Sequence, residues 1–137
     1  MTSRLNPYIS FSDNARQALE FYRDVFGGEL TMSTFAEFGQ ADGGDLIMHG
    51  QLETTDGFTL MGADTPPSME RREGSAITVS LSGDDAGLHD YWDKLSGSGS
   101  VTMPLEKQMW GDEFGMCVDQ FGVAWMVNIA GAKEPTA

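Results

Sequence analysis

The strand near the C-terminal end of this chain is a second use of an earlier one. Asp119-Gln-Phe-Gly-Val-Ala-Trp-Met-Val-Asn128 is a turn feeding a strand rich in β-branched and aromatic residues. Asp56-Gly-Phe-Thr-Leu-Met-Gly-Ala63 echoes it. With Gly57 laid on Gly122, Phe58 falls on Val123, Leu60 on Trp125 and Met61 on Met126. The echo points to a chain made of two copies of one unit.

The rest of the sequence fits that expectation. Residues 7–12 alternate, with Ile9 and Phe11 on one face and Tyr8 and Ser10 on the other, as in a half-buried strand. Asp13 or Asn14 then offers a helix N-cap. Ala15, Ala18, Leu19, Tyr22, Val25 and Phe26 follow at helical spacing, and Gly27-Gly28 stops the helix. Residues 29–36 form a second strand, 38–45 a loop and 46–53 a third strand. Thr54-Thr-Asp-Gly57 is a hairpin turn and 58–63 a fourth strand. A polar stretch, 64–75, with Pro66-Pro67 and Arg71-Arg72, reads as a linker. The pattern then restarts. Residues 76–81 alternate, and Asp84 or Asp85 caps a helix carrying Leu88, Tyr91, Trp92 and Leu95. Strands follow at 101–105, 114–119 and 123–129, with a loop carrying Trp110 at 106–112 and a loose tail at 133–137. A shift of 70 lays Ile9 on Val79 and Phe11 on Leu81 in the first strands; the last strands match at 65. The expected fold is therefore α+β: a single domain over 1–137, with unit one at about 6–64, a linker at about 65–75 and unit two at about 76–130. Each unit is βαβββ. One helix covers one face of each sheet and leaves the other free to form a cup.

Charge and composition narrow the partners. Twenty-one acids against eight bases give a net charge of −13, which repels nucleic-acid phosphates and anionic membrane surfaces. No apolar run approaches the roughly 20 residues of a membrane helix, and no apolar signal segment opens the chain, so the expected location is the cytoplasm. The single cysteine, Cys117, excludes an internal disulfide and reads as a small buried hydrophobe.

Several motifs resemble one family. They are Pro7-Tyr-Ile-Ser-Phe-Ser-Asp-Asn14, Ala18-Leu-Glu-Phe-Tyr22, Phe26-Gly-Gly28, His49, residues 56–64, Trp110-Gly111, Phe114-Gly115 and the closing 119–128 segment. The chain resembles the vicinal oxygen chelate superfamily of glyoxalases, bleomycin-resistance proteins and extradiol dioxygenases. Within it, the likeness is to the PhnB-like branch, which also carries the label 3-demethylubiquinone methyltransferase-like. The resemblance implies two tandem βαβββ units forming a cupped mixed sheet, and a homodimer. No Gly-rich cofactor loop of the methyltransferase kind is present, and no cofactor is expected.

The resemblance also implies where a metal would sit. Metal-using members place His, Gln or Glu ligands on the first and last strands of each unit. The two Glu positions correspond here to Met61 and Met126, the His position of unit two to Ala76, and the first-strand position of unit one to Asn6 or Tyr8. None is a good ligand for a divalent ion, because a thioether suits Cu(I) and little else. With only His49 and His89, a two-histidine iron triad cannot be assembled, and His89 reads as a surface residue.

Strand alternation then names the residues left to act in the cup. Tyr8 and Ser10 come from the first strand, and His49, Gln51 and Glu53 from the third. Met61, Thr78, Met126 and Asn128 share the cup face, with Trp110 on a loop over it. His49 is the candidate general base or donor. Alternate residues on a strand are about 7 Å apart, so Glu53 lies too far along to touch His49. The expected function is binding of a small, largely apolar or aromatic molecule without metal. Stoichiometric sequestration of a cationic aromatic drug, as in bleomycin-resistance proteins, is the alternative. A metal-dependent isomerase or dioxygenase is a third.

Overall fold

The computed structural model describes residues 5–39, 44–66, 74, 77–84 and 86–131. The linker arginines Arg71 and Arg72, the Ala76 position and the tail at 133–137 lie outside them. The chain divides into two compact units at the 73/74 boundary.

Unit one runs β1 (Tyr8–Phe11), α1 (Ala15–Phe26), β2 (Glu29–Thr34), β3 (Ile47–Glu53) and β4 (Thr59–Asp64). Its sheet has the order β1-β4-β3-β2, with β1 parallel to β4 and the other pairs antiparallel. Unit two runs β5 (Val79–Gly83), α2 (Gly87–Gly97), β6 (Ser100–Lys107), β7 (Glu113–Val118) and β8 (Ala124–Ile129). Its order is β5-β8-β7-β6, with the same directions. The tandem βαβββ expectation holds as two four-stranded mixed sheets. The second strand stops at Thr34 and gives way to one 3₁₀ turn at Ala36–Phe38. Glu106 and Lys107, expected in a loop, are the end of β6, and Asp64 is the end of β4.

In unit one the apolar stripe of α1 lies on the sheet. Ala15, Ala18, Leu19, Tyr22, Val25 and Phe26 are buried with Phe11, Leu52 and Leu60. Gly50 and Gly62 are ladder partners. Their missing side chains leave room for Leu19 and Phe11, whose atoms a Cβ at either glycine would strike. In unit two Leu88, Trp92 and Leu95 of α2 are buried with Leu81, Cys117, Trp125 and Val127. Burial and the neighbouring Asp119 charge push the Cys117 thiol up to about 11, so it stays a neutral core group.

The turn before the last strand is built the same way in both units. The Thr54 amide donates to the Phe58 carbonyl and the Gly57 amide to Thr54. The Asp119 amide donates to Val123 and the Gly122 amide to Asp119. Gly57 and Gly122 have φ of 91° and 86°, the left-handed conformation that closes such a turn. Each turn also braces itself through its first side chain. The Thr54 hydroxyl donates to the Phe58 carbonyl and accepts from the Phe58 amide. Asp119 accepts from the Phe121 and Val123 amides and from the indole N–H of Trp125.

Three local expectations are corrected. Asn14 occupies the N-cap of α1 without a side-chain cap, and Asp13 is exposed beside Ser12. The helix start is held instead by Asp64 at the end of β4, which accepts from the Ala15 and Ile47 amides, both at 2.8 Å. The N-cap of α2 is Ala86, again without a side-chain cap; Asp84 is exposed, and Asp85 lies outside the described residues. Finally, Tyr8 pairs with Met61 and Ser80 with Met126, so the first strands correspond at a spacing of 72 rather than 70. A slip of two residues keeps each side chain on its face, so the faces expected from alternation are the ones observed.

Candidate functional site

In each unit the face opposite the helix is read from the ladders, since paired residues point the same way. Tyr8, Met61, Gln51 and Thr31 form one row across the sheet of unit one. Ser10 pairs with Ala63, His49 with Ser33 and Glu53 with Thr59, all on that same face. The structure thus brings Tyr8, Ser10, His49, Gln51, Glu53 and Met61 to one face. Thr31 and Ser33, on β2, join them; the alternation Glu29, Thr31, Ser33 against Leu30 and Met32 carries that signal in the sequence.

Tyr8 and His49 are in contact. The phenol oxygen is 3.4 Å from His49 Nδ1, and the ring centroids are 5.8 Å apart. Tyr8 is 52% exposed, while His49, Gln51 and Met61 are half-buried. A hydroxyl, an imidazole, a carboxamide and a thioether therefore stand on one partly open surface. Such a set hydrogen-bonds a polar group and offers a polarizable surface to an apolar one.

The equivalent face of unit two has different chemistry. Ser80, Met126, Met116 and Met103 form one row, and Ser82, Asn128, Phe114 and Glu106 the next. At the spacing of 65 that relates β3 and β4 to β7 and β8, His49 is replaced by Phe114, Gln51 by Met116 and Glu53 by Val118. One frame carries a polar face in unit one and a mixed, sulfur-rich face in unit two. Thr78 stands immediately before β5, outside the strand, so its expected place on the cup face has no ladder partner to support it.

Asn128 shares the face of Met126 but has a structural partner. Its side-chain amide donates to Asp112 at 3.1 Å, and the Gly131 amide donates to the other oxygen of that carboxylate at 3.0 Å. These bonds, the backbone one first, hold the Asp112 carboxyl below its ordinary range. Together with the backbone bonds Gln108 to Asp112 and Gly111 to Gln108, they set the turn that displays Trp110. Trp110 is 61% exposed and meets Phe114 edge-on at 6.4 Å. Asn128 thus anchors the Trp110 loop. His89, read as a surface residue, is exposed and paired with Glu113, tying α2 to β7.

Among the described residues, no three of His, Cys, Asp and Glu stand together as a metal site, and no helix is long and apolar enough to cross a membrane.

A family model for the glyoxalase/bleomycin resistance protein/dioxygenase superfamily matches residues 4–127. Protein YjdN of Escherichia coli is 28% identical, over 96% of this chain and 98% of that one. The crystal structure of protein PA1353 from Pseudomonas aeruginosa superimposes with a TM-score of 0.86 at 36% identity, covering 96% of this chain and all of the other. A Bacillus cereus structure, described as a putative 3-demethylubiquinone-9 3-methyltransferase, PhnB protein, matches with a TM-score of 0.74 at 21% identity. It covers 93% of this chain and 100% of its own, a likeness of fold.

Proposed function

This chain belongs to the glyoxalase/bleomycin resistance protein/dioxygenase superfamily, and on that premise we propose that it binds a small, largely apolar or aromatic molecule on its open sheet faces without a resident divalent metal. The observation that carries this reading is the contact of Tyr8 with His49 on a partly open face that also presents Gln51 and Met61. His49 is the group that donates a hydrogen bond to the ligand or takes a proton from it, and Tyr8 sets its orientation. Ser10, Gln51 and Glu53 supply further polar contacts on that face. Met126, Thr78 and the displayed Trp110 offer apolar and aromatic surface in unit two.

The divalent ion used by metal-dependent members does not fit the residues present. Met61 has Tyr8 and Gln51 as ladder neighbours, and Met126 has Ser80 and Met116. Thioether, phenol, hydroxyl and a lone carboxamide are poor partners for zinc, nickel or iron in place of carboxylate and imidazole.

The test is an NMR titration with 2-naphthol as a neutral aromatic probe and ethidium as a cationic one. Amide shifts are expected at Ser10, His49, Gln51 and Met61, and His49→Ala is expected to weaken binding about tenfold, equivalent to ~1.4 kcal/mol. Tyr8→Phe should weaken it less. Shifts confined to the helix-covered faces, or affinity unchanged in His49→Ala, would contradict the reading. The exposed Trp110 and the net charge of −13 favour a second reading, sequestration of a cationic aromatic compound. Ethidium binding well above 2-naphthol, with the bound compound recovered unchanged, would select it.

The protein is further proposed to act as a homodimer in the cytoplasm. Ile77, Val101 and Met109 are exposed large apolar side chains that association can cover.

A further inference from the structure

We propose that the row Met103, Met116 and Met126 on the open face of unit two is a binding site for a soft monovalent cation, Cu(I) or its surrogate Ag(I). The three residues lie on adjacent strands β6, β7 and β8. Met103 pairs with Met116, and Met116 with Met126. In a regular ladder such as that of Met116 and Met126, paired side chains stand about 5 Å apart at Cβ, and Met103 joins them from a strand whose register shifts on either side of it. Met116 is in the middle, so three flexible thioether arms start close enough to converge on one ion. Methionine sulfur is a soft neutral donor that selects Cu(I) over hard or borderline divalent ions.

The frame itself does not require sulfur here. The same three ladder positions in unit one are Thr31, Gln51 and Met61, so a single thioether satisfies that sheet. The row is also accessible. β6 is the edge of its sheet, Met103 is exposed, and Met116 and Met126 are half-buried. The other soft donor of the unit, Cys117, is separated from the row. It pairs with Trp125 in the opposite phase of the ladder and is buried on the helix side. The site takes no support from the organic-ligand reading, and the two can fail independently. A bound ion would share Met126 with the face proposed for that ligand.

The experiment is an anaerobic titration of the full chain, labelled with ¹³C at the methionine methyl groups, with Ag(I) and then with Cu(I). Three of the nine methionine methyl signals, those of Met103, Met116 and Met126, should shift together and saturate at one equivalent. Zn(II) should leave them in place. Competition against bicinchoninate should show Cu(I) affinity falling about tenfold or more in Met116→Leu, a volume-conserving change. Met103→Leu, at the exposed edge, gives the same test if Met116→Leu fails to fold. Cys117→Ala should bind as the unchanged chain does. Shifts spread over all nine methyls, affinity unaffected by either leucine variant, or affinity lost in Cys117→Ala would each overturn the proposal.

Discussion

Asp119→Ala is expected to cost about 3–4 kcal/mol of stability, lowering the melting temperature by about 10 °C or more. Asp119 is 4% exposed and accepts from two backbone amides of its own turn and from the Trp125 indole N–H at 2.8 Å. Trp125 is fully buried. Removing the carboxylate strands its N–H away from water, which costs more than the lost bond alone. The turn also loses the acceptor that organises the Phe121 and Val123 amides. Asp119→Asn should lie between, because its oxygen still serves the turn while its NH₂ group opposes the indole donor. Trp125→Phe in the Asp119→Ala background should cost less than the two single changes summed, since no donor is then left unpaired. Chemical denaturation measures all four. A loss under about 0.5 kcal/mol for Asp119→Ala would mean that the carboxylate is not what closes the last hairpin.

Gly28→Ala is expected to be the more damaging change, costing about 4 kcal/mol or preventing folding of unit one. Gly28 has φ of 109°, outside the range of an L side chain. A Cβ there would overlap the Glu53 carbonyl oxygen and stand 2.7 Å from Thr54 Cα. Both obstacles are backbone, so no rotamer change relieves them. The strand must move instead, and Glu29 pairs with Glu53 immediately beyond. Displacing β2 removes Thr31 and Ser33 from the polar face and loosens the strand that carries His49. Gly97→Ala is the control. It ends α2, nothing lies within 4 Å of an added Cβ, and alanine is the better helix former. Circular dichroism and denaturation should show Gly97→Ala near the unchanged chain and Gly28→Ala far below it. Equal stabilities would contradict the described junction of α1 and β2.

How far the sequence carries the fold follows from which contacts are local. Alternation and helical spacing are properties of consecutive residues, so both helices and all eight strands of the described residues could be read from the sequence. The Thr54 and Asp119 turns also close within a few residues, and the repeated Gly57 and Gly122 announce them. Asp64 was hidden because its partners, Ala15 and Ile47, are 49 and 17 residues away. Nothing in its own neighbourhood distinguishes it from a linker acid. The offset between the first strands escapes the sequence for a related reason. Short strands of small and polar residues carry little register information of their own. The register comes from pairing, Tyr8 on Met61 and Ser80 on Met126.

The candidate site was legible as a face and less so as roles. Parity put Tyr8, Ser10, His49, Gln51, Glu53 and Met61 together, and the ladders agree. Asn128 was on the expected side too, but its bond to Asp112 depends on where a loop returns, which no strand pattern encodes. The contrast between the two units was present in the sequence at the spacing of 65, as His49 against Phe114 and Gln51 against Met116. It acquires meaning only when the ladders show these residues on the open faces.

On the proposed reading, this family frame carries thioethers, phenol and hydroxyl where a divalent ion would need carboxylate and imidazole. Elemental analysis of the full chain, purified without chelator and dialysed, tests it most directly. Zinc, nickel, manganese and iron are each expected far below one equivalent. A full equivalent of any of them that resists dialysis would contradict it.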